Sequence, residues 1–125
     1  MTTPNIVNVA TINGNMLSAA VGTGTPYTQI VTNAASSGKI FKINSLYVAN
    51  IDGTASVDVS VRMYSVAALG GTATAIASTV AVAADSTLVV ITKDSAIYVL
   101  ENKSMGIFAS ASGDAVFTCS WDEIS

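Results

Sequence analysis

Apolar and polar side chains alternate through the middle of the chain, over the stretch Lys39–Tyr64 (KIFKINSLYVANIDGTASVDVSVRMY). In its second half, from Val57 to Met63, every second residue is valine or methionine and the residues between them are polar. A period of two is typical of a β-strand with one buried face and one solvated face. We therefore predict two long strands here, paired as a hairpin around a turn at Asp52 and Gly53.

Further strands follow from the same kind of pattern on both sides of this stretch. The pair Asn13-Gly14 favours a two-residue hairpin turn, which predicts strands at Ile6–Ile12 and Asn15–Val21. The turn Ser112–Asp114 likewise predicts a last hairpin. The other predicted strands are Tyr27–Thr32, Thr72–Val82, Leu88–Thr92, Ala96–Leu100, Ser104–Ser110 and Ala115–Trp121.

Two of these segments carry a specific expectation. Thr72–Val82 is rich in alanine, which favours a helix, but its alternation and its β-branched neighbours favour a strand. Leu88–Thr92 (LVVIT) is a short continuous apolar run, which is consistent with a strand buried on both faces. Strand signals separated by short turns predict an all-β fold, an antiparallel β-sandwich of jelly-roll type with eight or nine strands.

Composition limits the classes of protein that the chain can represent. At 125 residues it suits one domain, 1–125. Charged residues make up 10 %, against about 25 % in an ordinary soluble domain. Much of the surface must therefore be Thr, Ser, Asn and Ala, or be covered by another subunit. The net charge of −3 disfavours a nucleic-acid partner. The charge-free stretch 63–84 lacks the Leu, Ile and Phe density of a membrane span.

The side chains needed for catalysis or for metal binding are scarce. The chain has no histidine, which excludes Ser-His triads and the commonest zinc ligand. Five of the eight acidic residues fall at predicted turns, where aspartate bonds the local backbone. Cys119 is the only cysteine and is expected to be a small buried hydrophobe. We predict no enzyme activity, no cofactor and no metal.

The two ends of the chain supply the candidate interface residues. No signal peptide is apparent at the N-terminus, so the chain is expected to be made in a cytoplasm. Residues 1–5 are a candidate N-terminal arm. Trp121, the only tryptophan, is either a core aromatic at the edge of the sandwich or an interface anchor. The candidate interface residues are Met1, Thr2, Thr3, Pro4, Asn5 and Trp121.

Several runs of residues together carry a resemblance to a known class of protein. They are KINSLYVAN within Lys39–Asn50, DGTA at Asp52–Ala55, VDVSVRMY at Val57–Tyr64, ADSTLVV at Ala84–Val90, AIYVLEN at Ala96–Asn102, IFASA at Ile107–Ala111 and SWDEIS at Ser120–Ser125. This succession resembles the small β-sandwich virion proteins encoded among the structural genes of tailed bacteriophages. The resemblance covers about residues 39–125 and implies a non-enzymatic structural protein of the phage particle.

Three functions follow as expectations. The first is a capsid decoration or cement protein, homo-oligomeric and bound to the major capsid protein or other virion proteins. The second is a neck, tail or baseplate component. The third is a carbohydrate-binding or receptor-binding module of a fibre tip, which requires exposed aromatic side chains. Most aromatic residues lie within predicted strands, so exposed clustering of them is not expected.

Overall fold

The computed structural model describes residues 9–125, which form nine β-strands, one 3-10 turn (Lys93–Ser95) and no α-helix. The strands are β1 (Ile12–Ala20), β2 (Thr28–Asn33), β3 (Ile40–Asn50), β4 (Val57–Val66), β5 (Gly70–Val82), β6 (Thr87–Ile91), β7 (Ile97–Val99), β8 (Lys103–Ala109) and β9 (Ala115–Ile124).

The strands form two antiparallel sheets. Sheet 1 has the order β1-β9-β3-β6, and β7 pairs with β3 beyond the end of β6. Sheet 2 has the order β2-β8-β4-β5. Because β6 and β7 flank the 3-10 turn and pair with successive parts of β3, they act as one interrupted strand. This is the strand order of a jelly roll, and the prediction of an all-β sandwich is confirmed.

The core lies between the sheets and is built from alternate residues of their central strands. On β4 the inward residues Val57, Val59 and Val61 are almost completely buried. Met105 and Ile107 of β8 lie beside them in sheet 2. The principal contributions from sheet 1 are Ile43, Leu46, Val48, Phe117 and Cys119. The period of two in the sequence therefore identifies the buried face correctly.

The pairing predicted for Lys39–Tyr64 is wrong, although both of its strands exist. β3 belongs to sheet 1 and β4 to sheet 2, so the turn at Asp52 and Gly53 joins the two layers. The predicted last hairpin fails in the same way, since β8 and β9 lie in different sheets. Alternation identifies the face that a strand buries, but it does not determine which strand is the hydrogen-bonded neighbour.

The predicted hairpin turn at Asn13 and Gly14 is also wrong. Both residues lie inside β1, opposite Glu123 and Asp122 of β9. β1 stays in register with β9 over its whole length, and this pairing outweighs the local turn preference of the two residues. The first part of the predicted strand Ile6–Ile12 lies outside the described residues.

The two remaining strand expectations have opposite outcomes. The alanine-rich segment is the strand β5, as its alternation predicts. The run Leu88–Thr92 overlaps the strand β6 but is not buried on both faces, because Val89 is 47 % exposed. β6 is an edge strand whose outer face no described element covers, which explains the difference.

A buried asparagine stabilises the connection between the two sheets. The side-chain amide of Asn50, at the end of β3, donates hydrogen bonds to the carbonyls of Ala55 and Val82, both 2.9 Å long. Its Oδ1 accepts a bond from the backbone N–H of Asp52. Because Val82 ends β5 in the other sheet, Asn50 joins the two layers at this end of the sandwich.

Candidate interaction surfaces

An aromatic cleft lies on the outer face of sheet 2. Arg62 and Tyr64 alternate with inward residues on β4 and therefore share this outer face. On β8, Phe108 lies opposite Ser60, and Tyr27 comes directly before the first residue of β2 that pairs with β8. Three strands thus bring together side chains that are far apart in the sequence.

The rings in the cleft are packed against one another. Tyr27 stacks on Phe108 with ring centroids 5.2 Å apart and an interplanar angle of 24°. Tyr27 and Tyr64 meet edge to face, with centroids 6.5 Å apart. Both are favoured aromatic geometries. The cluster is therefore a fixed feature of the surface and not a set of independent side chains.

Arg62 supplies the positive charge of the cleft. Its guanidinium carbon lies 4.6 Å from the centroid of the Tyr27 ring, within the range of a cation–π contact. Within residues 9–125 the only ion pair joins Lys39 to Glu123, so no described carboxylate neutralises Arg62. The exposed guanidinium keeps its hydrogen-bond donors available to an anionic or hydroxylated ligand.

A buried glycine lies beneath the side chains that line the cleft. Gly106 lies opposite Arg62 on the neighbouring strand. A Cβ atom at Gly106 would lie only 3.0 Å from Leu69 Cδ2 and 3.1 Å from Tyr27 Cβ. The absence of a side chain at this position lets these neighbours close over the strand. The resulting cleft has a volume of about 470 Å³, and Thr25 and Pro26 complete its lining.

Sequence reasoning did not predict this cluster. Exposed clustering of the aromatic residues is not expected from the sequence, but Tyr27, Tyr64 and Phe108 lie together once the order β2-β8-β4 is known. The sequence indicates part of the cluster, since the alternation of β4 places Arg62 and Tyr64 on the same outer face. Nothing in the sequence places Phe108 next to them.

The second candidate surface is the free edge of β1. Its nine residues, INGNMLSAA, include no charged residue and no proline, and they pair with β9 without any shift in register. Most of the strand is exposed, including Met16 at 65 %, Ile12 at 58 % and Leu17 at 37 %. Natural proteins usually protect such an edge with charge, proline or a bulge.

The other three edges of the sandwich are irregular. β5 pairs with β4 through three register shifts and contains Thr79 with φ of 52°. β2 has six residues and a register shift between Gln29 and Val31. The edge opposite β1 is divided into β6 and β7 by the 3-10 turn. β1 is thus the one long regular edge among the described strands.

The predicted interface residues fall into two groups. Met1, Thr2, Thr3, Pro4 and Asn5 lie outside the described residues. Trp121 lies on β9 between Asn15 of β1 and Ile43 of β3, is partly buried, and packs against the core. No described residue accepts a hydrogen bond from its indole N–H. This placement fits a core aromatic near the sheet edge, and the role of Trp121 as an interface anchor stays a prediction.

Cys119 and Asp52 have environments that fit structural roles. Burial raises the pKa of the Cys119 thiol to about 12, so the nucleophilic thiolate is disfavoured at neutral pH. The backbone N–H and the hydroxyl of Thr54 both donate to Asp52, and they lower the pKa of its carboxyl group. Asp52 therefore stabilises the turn between β3 and β4.

Residues 9–125 contain no cluster of three or more side chains suited to holding a metal ion. In the same part of the chain no helix is long and apolar enough to cross a membrane.

Comparison with known proteins does not identify a relative. The chain matches no protein-family model, no curated protein sequence and no solved structure.

Proposed function

We propose that this protein is a non-enzymatic structural component of a phage virion, a decoration or cement protein on the capsid that acts through contacts between protein subunits. The observation that carries this proposal is the edge of β1, which is long, regular, uncharged and exposed. An edge of this kind is a ready template for another chain, and a protein that works as a free monomer normally blocks it.

The composition of the surface supports the same function. Only 10 % of the residues are charged, and hydrophobic side chains such as Ile12, Met16 and Ile51 are more than half exposed. Contact with neighbouring subunits would cover such a surface. An acidic chain is also better suited to the outside of a capsid than to its DNA-lined interior.

The assignment to a phage particle is supported by the resemblance of residues 39–125 to small virion proteins. The major capsid protein or another virion protein is the corresponding partner. A position on the neck, tail or baseplate is the closest competing assignment, because the same surface would serve there.

The experiment is to add purified protein to capsids that lack it and to measure co-sedimentation, followed by electron microscopy of the decorated particles. Binding at regular positions on the capsid is expected. Met16→Lys should weaken binding if β1 takes part, and Ser78→Lys on the exposed part of β5 is the matched control. A stable monomer with no affinity for capsids would refute the proposal, whereas density only at the neck or tail would favour the competing assignment.

The aromatic cleft favours carbohydrate binding as a second candidate function. Tyr27 and Phe108 are partly exposed and offer ring surface for the apolar face of a sugar, the buried Tyr64 lines the cleft beside them, and Arg62 and Thr25 offer hydrogen bonds. A glycan array tests this function. Binding should disappear in Arg62→Ala and Tyr27→Ala and persist in Ser78→Ala, and an array without hits would exclude it.

A further inference from the structure

We propose that two copies of this chain pair along β1, antiparallel and about a two-fold axis at Met16, so that sheet 1 of each copy joins one continuous sheet. The proposal names a partner for the β1 edge and rests on the proposed function for its role in assembly. The pairing itself depends on the backbone groups of β1 and can be tested without a virion.

The hydrogen bonds to β9 determine which backbone groups of β1 are free. Thr11 and Ser125 exchange two backbone bonds, of 3.1 and 2.9 Å, and so form a hydrogen-bonded pair. Such pairs alternate with non-bonded pairs along an antiparallel ladder. At the other end Val21 donates to Ala115 in the same phase. The odd-numbered residues of β1 therefore face β9.

The even-numbered residues of β1 consequently direct their backbone N–H and C=O groups away from β9. They are Ile12, Gly14, Met16, Ser18 and Ala20. Within residues 9–125 no strand pairs with this side of β1. Even-numbered residues of one copy can pair only with even-numbered residues of the other, since both partners must present outward groups.

Several registers pair even-numbered residues with each other, and only one of them overlaps the two β1 strands over their full length. With Met16 opposite Met16 of the second copy, Ile12 lies opposite Ala20 and Gly14 opposite Ser18. Every outward group of the strand is then bonded. Sliding one copy by two residues leaves groups at the strand ends unpaired, which lowers the number of hydrogen bonds without any compensating contact.

The side chains are compatible with this register. Gly14, Ser18 and Ala20 are small and allow close approach, while Met16 and Ile12 gain an apolar neighbour across the new pair. The nearest charges on sheet 1 are Asp122 and Glu123 on β9, and Glu123 is already bonded to Lys39 and Asn15. Three strand spacings, about 14 Å, separate the two copies of β9, so repulsion between them is screened.

Cysteine cross-linking tests the register directly. The Cα atoms of a hydrogen-bonded antiparallel pair lie about 5.5 Å apart, which is within the range of a disulfide. Met16→Cys should therefore give a disulfide-linked dimer under mild oxidation. Ile12→Cys should remain unlinked alone and should form a heterodimer only when mixed with Ala20→Cys. The native Cys119 is buried and does not interfere.

Sedimentation of the unmodified protein supplies the second measurement, with a dimer expected at micromolar concentration. Equal cross-linking of Met16→Cys and Ile12→Cys would overturn the register, and a monomer with no cross-link in any variant would overturn the pairing. If a variant lacking residues 1–8 cross-links where the full chain does not, the N-terminal segment occupies β1 and the proposal is wrong. A dimer that fails to bind capsids would refute the proposed function alone.

Discussion

The thiol of Cys119 illustrates how burial at one residue changes the dependence of stability on pH. Burial raises the pKa of this thiol to about 12 in the folded protein, against 9.0 for the free group. Above pH 9 the unfolded chain loses this proton and the folded chain keeps it, so the folded state is destabilised as the pH rises toward 12.

We therefore expect the free energy of unfolding to fall by about 1 kcal/mol between pH 8 and pH 10 through this residue. Urea denaturation of the protein and of Cys119→Ala at both pH values measures the effect, since the two proteins differ only in this side chain. An equal pH slope in the two proteins would contradict the prediction. The folded protein should also react with a thiol reagent at pH 8 only after urea is added.

The buried side-chain hydrogen bonds of Asn50 make a second contribution to stability that can be measured at a single residue. Replacing it with alanine leaves the carbonyls of Ala55 and Val82 without their side-chain donor at a buried site. We expect Asn50→Ala to lower the free energy of unfolding by about 2 kcal/mol. Asn13→Ala, at an exposed position on β1, is the control and should change stability little. Equal effects in the two variants would show that the bonds of Asn50 contribute nothing.

At the scale of elements, the start of β5, directly after the turn from β4, depends on a glycine. Gly71 has φ of +73°, and a Cβ atom there would overlap Ser65 Oγ and lie 2.8 Å from Val66 Cγ2. Gly71→Ala should therefore destabilise the protein by more than about 1 kcal/mol. Gly24→Ala is the matched control, because its Cβ would meet open space. Thermal unfolding of both variants measures the difference, and a Gly71→Ala protein as stable as Gly24→Ala would contradict this account.

The sequence predicts the strands far better than their partners. β3, β4, β5 and β8 lie within two residues of their predicted bounds, because alternation and turn residues are local signals. Their pairing depends on which layer each strand joins, and the same turn composition serves a hairpin or a connection between sheets. Among the described strands only β4 and β5 are both consecutive in sequence and paired with each other.

The candidate surfaces could be predicted only in part for the same reason. The uncharged sequence of β1 is visible in the chain, but its position at an edge follows from its pairing with β9 alone. The aromatic cleft needs Tyr27, Arg62 and Phe108 on three adjacent strands, and this adjacency exists only in the folded sheet. Long-range strand order is thus the information that local pattern lacks.

At the scale of the whole molecule, the topology determines how the chain must fold. β1 and β9 lie at opposite ends of the described chain yet pair along their full length, and β9 separates β1 from β3 in sheet 1. Sheet 1 therefore cannot be completed until β9, the last strand of the chain, is in place. Closing such long loops before any contact is gained slows folding, and domains dominated by non-local strand pairing fold in milliseconds to seconds.

We expect refolding in that time range, with a single cooperative unfolding transition. Trp121 reports on it directly, since this only tryptophan lies between β1 and β3. Stopped-flow fluorescence after dilution from urea measures the rate, and circular dichroism at equilibrium should give the same transition midpoint as Trp121 fluorescence. Refolding complete within microseconds, or different midpoints for the two probes, would mean that part of the sandwich folds independently of β9, and would contradict the prediction.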